Sequence, residues 1–541
     1  MTIDHDPGPD HAGWRRRRFL GSAGALGLSG TVSSGAMARH MAVPLAASRG
    51  SRPNFLFLLP DQLRADAVGA FGSRIVKTPA IDSLAATGVR FARAYTTTAL
   101  CSPARTSMLT GLYPHAHRII GNTHGAGAVV NEVAPGQGTW SEILAMSGYR
   151  LGYVGKWDLG TLQAGDEADR PPPAEPGGRH RWTPKDYGFQ DAESAFKPYR
   201  LAQLKRASPL KLKLALEQSG VSDKGPVPFY ATADVKPEDT PEADLTDKAI
   251  HLLREYAALA RMGTPFALCA SWAQPHFPNF VPEPYASMYD PASIPPWPSF
   301  NDSYVDKPST NAKLRDLWGV TGVEWAEWSR IVAHYYGSIS HIDAQIGRLL
   351  KELDQLGLAD NTVVVFAADH GDMTGAHGLF NKGGVPYEEI YRVPLVIRLP
   401  GGTRPIARNE LVSNMDLMPT LIELAGASLP KHLHAKSLVP LLSDDGVEWP
   451  GDLMMEFHGD IAGFRSQRIL RNARYKFVYN VLDRNELYDL DDDPHELKNV
   501  FEAPAYRAVR TALAKRLVER MNDTDDGLAK SAQVALGVET M

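Results

Sequence analysis

Asn54-Phe55-Leu56-Phe57-Leu58-Leu59, followed directly by Pro60-Asp61-Gln62, is the most informative segment about the architecture of this chain. A short apolar run bounded by a proline is typical of a strand buried on both faces, as in a parallel sheet. The polar residues after it stand where open α/β sheets bind their ligands, beyond the carboxyl end of a strand. The segment therefore predicts a central strand with a polar site at its end.

Three later apolar runs end in polar residues in the same way. They are Tyr149 to Val154 before Lys156 and Asp158, Phe266 to Trp272 before His276, and Thr362 to Ala368 before Asp369 and His370. Runs of helical spacing lie between them, and the longest extends from Glu324 to Leu356. Alternating strands and helices predict an α/β sheet covered on both faces, with the four polar strand ends along one rim.

The composition argues against several classes of protein. The 541-residue chain has a formal net charge of −5 and no long basic run, so it gives no electrostatic reason to expect nucleic acid as a partner. Its two cysteines, Cys101 and Cys269, cannot build a disulfide framework. Cys269 lies in an apolar run, and we expect it to be buried and unpaired.

Cys101 opens the segment Cys101-Ser102-Pro103-Ala104-Arg105, which is typical of the start of a helix. Ser102 suits the N-cap, Pro103 the first helical position, and Gly111 the residue after the last turn. Cys101 would then lie at the amino end of the helix, where the dipole favours an anion. Arg105, one turn later, can pair with oxyanions. The alternative is a half-buried thiol beside a structural arginine.

Six ordered motifs make the sequence, from Asn54 to about Val500, resemble the type I, formylglycine-dependent sulfatases of the alkaline phosphatase superfamily. They are Asp61-Gln62 after the first strand, CSPAR at Cys101 to Arg105, GKWDLG at Gly155 to Gly160, Pro275-His276, the block from Asp369 through Lys382 to Glu389, and ELYDLDDDPHELKN at Glu486 to Asn499. The resemblance implies an alkaline-phosphatase-like fold. We therefore expect a large mixed, mostly parallel sheet covered by helices on both faces, with a smaller C-terminal α+β subdomain.

Composition and resemblance together predict three regions. Residues 1–51 contain Trp14 followed by four arginines, a weakly apolar stretch and Ala36-Met37-Ala38, as in a twin-arginine export signal; a disordered basic arm or an uncleaved anchor is the alternative. Residues 52–441 form the sulfatase catalytic domain, with a Pro- and Gly-rich insertion at about 161–240, and residues 442–541 form the C-terminal subdomain. We expect the twin-arginine translocase as a partner and a periplasmic, secreted or cell-surface location.

The resemblance also implies the reaction and its cofactors. The implied activity is hydrolysis of a sulfate ester of a small molecule or carbohydrate, by a nucleophile that a formylglycine-generating enzyme makes from Cys101. The implied divalent cation is held by five residues: Asp61, Gln62, Cys101, Asp369 and His370. Oxygen ligands favour calcium or magnesium, with calcium preferred, and the imidazole makes manganese credible.

The implied catalytic residues are Cys101, Arg105, Lys156, Asp158 and His276, and the implied sulfate-binding residues are Lys156, His276 and Lys382. His276 or a neighbour would give a proton to the leaving alcohol. Asp158 departs from the family motif GKWHLG, whose histidine commonly accepts the proton of the second formylglycine hydroxyl. We expect Asp158 to be that base, to bind a cationic or hydroxyl-bearing part of the substrate, or to leave the role to His115 or His117.

Two other functions fit the same residues. A phosphonate monoester or phosphodiester hydrolase of the same superfamily would share the fold and the nucleophile, and would differ in the charge preference of its pocket. A binding protein for carbohydrates or sulfated ligands, without catalysis, would require the Cys101 thiol to stay unmodified.

Overall fold

The computed structural model describes residues 52–123, 136–160, 183–193, 199–211, 227–403, 405–443, 446–459 and 465–539, all of which belong to the compact unit Leu45–Met541. The predicted leader at 1–51 lies outside the described residues, and so does more than half of the predicted insertion at 161–240. Among the described helices, none combines the length and the apolar character that crossing a membrane requires.

A nine-stranded sheet carries the fold. Its strands are β1 (Asn54–Pro60), β2 (Val89–Tyr95), β3 (Arg150–Gly155), β4 (Asp191–Glu193), β7 (Phe266–Trp272), β9 (Thr362–Ala367), β10 (Arg392–Val393), β11 (Leu395–Arg398) and β12 (Ile406–Ser413). They lie in the order β10-β2-β11-β9-β1-β7-β3-β4, and β12 also pairs with β2. A three-stranded sheet lies apart from it and comprises β5 (Leu204–Lys205), β6 (Tyr230–Ala233) and β8 (Asn279–Pro282).

The centre of the large sheet is parallel. β1 runs parallel to both of its neighbours, β7 and β9, and β3 runs parallel to β7 on the other side. Every residue of β1, β7 and β9 is buried, so both faces of the sheet are covered, as their apolar runs predicted. Because β11 is antiparallel to β9 and β2, the sheet is mixed. The predicted fold class is confirmed.

Eleven α-helices occur among the described residues. They are α1 (Pro79–Ala86), α2 (Cys101–Thr110), α3 (Pro114–His117), α4 (Trp140–Met146), α5 (Pro241–Arg261), α6 (Ser309–Trp318), α7 (Trp325–Gln355), α8 (Glu388–Tyr391), α9 (Leu417–Leu424), α10 (Arg507–Asp523) and α11 (Ala529–Ala535). The long helices α5 and α7 pack against each other, and α5 packs on β7. The run Glu324 to Leu356 thus forms a single helix, α7, close to its predicted bounds.

The C-terminal part has a sheet of its own. Its antiparallel strands are β13 (Asp452–Phe457), β14 (Gln467–Asn472), β15 (Tyr475–Asn480) and β16 (Glu486–Asp489). Helix α10 packs on β14 and β15, which gives the predicted α+β subdomain. Lys476 on β15 ties it to the rest of the chain, because its buried Nζ lies 2.9 Å from Glu388 Oε1 on α8 and 2.6 Å from Glu496 Oε1.

The predicted N-cap of α2, Ser102, was wrong by two positions, because the N-cap is Leu100. The helix begins at Cys101, and the carbonyl of Leu100 accepts the first helical hydrogen bond, from Ala104 N at 3.0 Å. Ser102 does not cap because its own amide donates to Asn122 Oδ1 at 3.1 Å, inside the first turn. Gly111 ends the helix with φ 70°, as predicted.

Candidate active site

Cys101, the first residue of α2, lies at the rim where the central strands end. Its side chain is buried, and Sγ lies 3.1 Å from Lys382 Nζ, 3.2 Å from His370 Nε2 and 3.5 Å from Lys156 Nζ. Burial, reinforced by the nearby charge of Asp61, raises the pKa of the thiol to about 12. As a cysteine, residue 101 is therefore protonated near neutral pH and is a weak nucleophile.

Four possible metal ligands meet at this point. Asp61, Cys101, Asp369 and His370 each place one ligand atom within 4.8 Å of the others. His370 Nδ1 lies 2.9 Å from the carbonyl oxygen of Gly371, so we assign the ring proton to Nδ1, and Nε2 keeps a lone pair facing Sγ. Burial lowers the pKa of His370 to about 4, which keeps the imidazole neutral. The group has the donors that a divalent cation requires.

Basic side chains pair with both carboxylates of this group. Arg105 Nε donates to Asp369 Oδ2 at 2.9 Å, and Arg105 Nη1 donates to Ser271 Oγ at 2.9 Å. Lys156 Nζ forms an ion pair with Asp61 Oδ2. Burial alone would raise the pKa of Asp61, but the surrounding positive charges, Lys156 foremost, hold it well below its usual value.

Gln62 presents its side-chain oxygen to the same pocket. Lys382 Nζ donates to Gln62 Oε1 at 2.6 Å, while Gln62 Nε2 donates to Asn381 Oδ1 at 3.0 Å and to Asp372 Oδ2. Its backbone amide donates to Asp369 Oδ1 at 3.0 Å. Sequence reasoning missed the contacts of Asp372 and Asn381. Both lie inside the motif block from Asp369 to Glu389, but no sequence pattern shows which side chain they would hold.

His276 follows β7 and is half-buried beside the lysines. Its Nδ1 lies 2.5 Å from the carbonyl oxygen of Phe277, and its ring stacks on the Phe277 ring with centroids 4.7 Å apart. Burial, together with the charges of Lys382 and Lys156, lowers the pKa of His276 well below its usual value. The imidazole is therefore neutral in the absence of an anionic ligand.

Residues 53–427 match the family model for sulfatases, and residues 375–523 match the model for the C-terminal part of N-sulphoglucosamine sulphohydrolase. The chain belongs to the sulfatase family. Four of its central strands deliver the motif residues to one rim, as the order β9-β1-β7-β3 requires when all four run parallel. Sulfate ester hydrolysis, which the motifs implied, is the activity for which this family is named.

Relatives of this sulfatase cover most of its length. It is 29% identical to an uncharacterized sulfatase of Escherichia coli over 88% of both chains, and 27% identical to an arylsulfatase of Clostridium perfringens over 90% of this chain and 98% of the relative. Among solved structures, the phosphonate monoester hydrolase of Agrobacterium radiobacter superposes with a TM-score of 0.69 at 27% identity, covering 87% of this chain and 96% of that one.

Asp158 is where this sulfatase departs from the family motif. Its side chain is fully buried, its backbone has φ 61°, and its Oδ2 lies 3.4 Å from Lys156 Nζ. The carboxylate thus stands next to a lysine that itself contacts Cys101. The two histidines considered as substitutes point elsewhere: His117 Nε2 lies 3.0 Å from Ser107 Oγ, and His115 Nδ1 lies 2.8 Å from Glu456 Oε2.

Proposed function

We propose that this sulfatase hydrolyses sulfate esters of small molecules or carbohydrates, using a formylglycine made from Cys101 and a divalent cation bound beside it. The surroundings of Cys101 Sγ carry the proposal, because His370, Lys156 and Lys382 all lie within 3.5 Å of it. The raised pKa of the thiol adds support: an unmodified Cys101 would be a poor nucleophile, whereas an aldehyde hydrate supplies an oxygen nucleophile.

The proposed cation ligands are Asp61, Gln62, the side chain at position 101, Asp369 and His370. These residues fit a cation because carboxylate oxygens, an amide oxygen, an imidazole nitrogen and the side chain at position 101 converge. The free lone pair of His370 Nε2 points into this group. A bound cation would neutralise charge that develops on the sulfate oxygens. We propose calcium, since oxygen donors dominate, with magnesium and manganese as the alternatives.

The basic side chains would bind the sulfate group and hold the carboxylates in place. Arg105 fixes Asp369 through its Nε and spans to Ser271 on β7 through its Nη1. Lys156 and Lys382 present ammonium groups to the position of Sγ, where the sulfur of an ester would be attacked. Fixed positive charges in a buried site stabilise the developing negative charge without having to reorganise.

His276 is the proposed proton donor to the leaving alcohol. Burial, Lys382 and Lys156 lower its pKa while the pocket holds no anion, and the negative charge of a bound sulfate ester opposes the effect of the lysines. Binding of the ester would therefore favour the protonated ring just when a donor is needed. Asp158 remains a candidate for the base or for a substrate contact, acting next to Lys156.

The mass of the tryptic peptide that contains Cys101, measured alongside hydrolysis of an aryl sulfate, tests this proposal. We expect the formylglycine mass in the active fraction and one divalent cation per chain. Full activity in a preparation whose Cys101 peptide has the mass of unmodified cysteine would rule the proposal out.

A phosphonate monoester or phosphodiester hydrolase is the second candidate, favoured by the similarity to the Agrobacterium radiobacter enzyme. Both reactions would use the same nucleophile and cation. Comparing kcat/KM for phenyl sulfate and for a phenyl phosphonate monoester in one preparation separates them. We expect the sulfate ester to have the higher value, since the relatives from Escherichia coli and Clostridium perfringens are named sulfatases.

We further propose export by the twin-arginine translocase, and maturation by a formylglycine-generating enzyme. The four arginines after Trp14 and the small residues at Ala36-Met37-Ala38 support export. Replacing Arg15 to Arg18 with lysine should leave the protein in the cytoplasmic fraction. Unchanged export of that variant would contradict this proposal without touching the assignment of the active site.

A further inference from the structure

We propose that Asp372 is a positioning residue: with Asn381 it sets which end of the Gln62 amide faces Cys101. The inference rests on the proposed function for its consequence, which is cation binding and turnover. Its structural part rests on hydrogen bonds alone. Asp372 lies three residues after Asp369, in the same loop beyond β9, and is buried.

The Gln62 side chain is held between donors and acceptors at its two ends. On the pocket side, Lys382 Nζ donates to Oε1 at 2.6 Å and lies 3.1 Å from Cys101 Sγ. On the opposite side, Nε2 donates to Asn381 Oδ1 at 3.0 Å and to Asp372 Oδ2. Gln62 itself is fully buried, so water does not compete for these bonds.

The two ends of an amide are nearly equal in size and opposite in hydrogen-bonding character. An ammonium group can only donate, so the end that faces Lys382 has to be oxygen. A carboxylate can only accept, so the end that faces Asp372 has to be nitrogen. Turning the amide over would set donor against donor at Lys382 and acceptor against acceptor at Asp372.

Asp372 is in turn fixed by its own neighbours. Its Oδ1 accepts from Thr374 N at 2.6 Å and from Thr374 Oγ1 at 2.5 Å, which leaves Oδ2 for Gln62. The backbone of Gln62 is held as well, because it adopts φ 61° and its carbonyl oxygen accepts from Tyr335 OH at 2.9 Å. Only the amide orientation of Gln62 is then left to be set, and Asp372 sets it together with Asn381 and Lys382.

The consequence is that Asp372 acts on the proposed cation through Gln62. An oxygen at the pocket side can serve as a ligand, whereas an NH2 group there would repel the cation and Lys382 together. Partners that orient ligands in this way typically change metal affinity by about 10- to 100-fold when they are replaced.

Asp372→Asn tests the inference because it replaces one acceptor, the Oδ2 that faces Gln62 Nε2, with a donor. Thr374 N, a donor, keeps the oxygen of the new side-chain amide on its side, so the new NH2 group faces Gln62 Nε2. We expect calcium affinity, measured by titration calorimetry, to fall by about tenfold or more, with kcat/KM falling in parallel. Wild-type calcium affinity in Asp372→Asn would overturn the inference.

Gln62→Glu supplies the rescue, because a carboxylate has oxygen at both ends. In the Asp372→Asn background, the carboxylate introduced at position 62 can accept from the new NH2 group and still present oxygen to the pocket. We expect the double variant to recover most of the lost affinity, while Gln62→Glu alone sets two carboxylates against each other. If Gln62→Glu has the same effect in both backgrounds, the two side chains are not coupled and the inference fails.

Asp343→Asn is the matched control. Asp343 is also a buried carboxylate, but it accepts from the backbone amides of Ala80 and Ile81 at 3.1 and 2.9 Å. Its effect should add to that of Gln62→Glu without coupling. The same cycle measured by urea unfolding with a chelator present needs no cation. Coupling in that experiment, with no calcium binding by the wild type, would refute the cation site and leave the orienting role of Asp372 intact.

Discussion

The Cys101 centre (Asp61, Cys101, Asp369 and His370) and the His115 cluster (His115, Glu456 and Asp526) each bring possible metal ligands within 4.8 Å of one another. The first lies at the ends of the central strands. The second lies where α3 meets β13 of the C-terminal sheet and the segment after α10. By distance alone both are candidates for a cation, and the contacts around each histidine separate them.

In the His115 cluster the fold already supplies the positive charges. His115 Nδ1 faces Glu456 Oε2 at 2.8 Å and Nε2 faces the carbonyl of Thr524 at 2.9 Å, so both nitrogens have partners that only accept. Burial alone would lower the pKa of His115, but Glu456 raises it above its usual value. Arg468 Nε lies 2.5 Å from Asp526 Oδ2 and 3.4 Å from Glu456 Oε2. An imidazolium and a guanidinium thus occupy the place of a metal.

His370 of the Cys101 centre shows the opposite state. Its pKa is lowered to about 4 and only Nδ1 is used in a hydrogen bond to the backbone, so Nε2 offers a lone pair. A metal needs that lone pair, whereas a salt bridge needs the proton. The protonation state of the histidine, and not the number of nearby ligands, therefore indicates which group binds a cation.

The largest expected effect is at Cys101. Cys101→Ala should reduce aryl sulfate turnover to background, because it removes the proposed precursor of the nucleophile. Few atoms are lost at the helix start, so the thermal midpoint should stay close to that of the wild type. Persistent hydrolysis by purified Cys101→Ala would show that the Cys101 centre is not the active site.

Asp369→Asn and Asp526→Asn form a matched pair, one carboxylate from each group. Asp369→Asn should lose the bound cation and most activity, as measured by elemental analysis and kcat. Asp526→Asn should keep one cation per chain but lower the free energy of unfolding by about 3–5 kcal/mol, since Arg468 would keep a buried charge with a weaker partner. Equal cation loss in both variants would contradict the conclusion that the Cys101 centre binds a cation and the His115 cluster does not.

Asp158→His addresses the charge balance beside the Cys101 centre. We expect KM for the native substrate to rise by about tenfold with kcat little changed. A carboxylate 3.4 Å from Lys156, a proposed sulfate-binding residue, is best explained by a contact with a cationic or hydroxyl-bearing part of the substrate, and histidine would lose that contact. Burst kinetics with an aryl sulfate, which separate release of the phenol from release of sulfate, provide the check. Faster release of sulfate in Asp158→His would identify position 158 as the base instead.

The smallest effect is the pH dependence of the His115 cluster. Because the folded-state pKa of His115 is raised, its contribution to stability is complete below the unfolded value of 6.5 and is lost as pH rises through the folded value. Glu456, whose pKa is lowered, contributes above 4.5 and loses that contribution as pH falls. His115→Gln should lower the free energy of unfolding more at pH 6 than at pH 9, measured by urea unfolding. An equal loss at both pH values would show that His115 is neutral.

The sequence alone predicted which polar residues stand at the strand ends and that Cys101 lies at the amino end of a helix. Apolar runs such as Phe266 to Trp272 predict buried strands because burial on both faces removes alternation. Asp61, Lys156 and Asp369 follow such runs. They were therefore expected to lie together, since parallel strands end at one edge of the sheet. Cys269 is a free, buried cysteine, as its apolar surroundings predicted.

Contacts between distant side chains could not be predicted in this way. Gln62 and Asp372 are 310 positions apart, and neither lies in a periodic pattern that records the other. The pairing of His115 with Glu456 crosses 341 positions and depends on how the C-terminal sheet docks. Local rules also place a helix end only to within one or two residues, which is why Ser102 was chosen as the N-cap over Leu100.

The burial of Cys101 has a consequence for timing. The proposed maturation enzyme would have to reach the thiol to oxidise it, and the side chain in the first turn of α2 is only 1% exposed in the folded protein. The proposed conversion would therefore have to come before the first turn of α2 is buried. If the chain leaves the cell folded through the twin-arginine route, then oxidation, folding and export follow one another in that order.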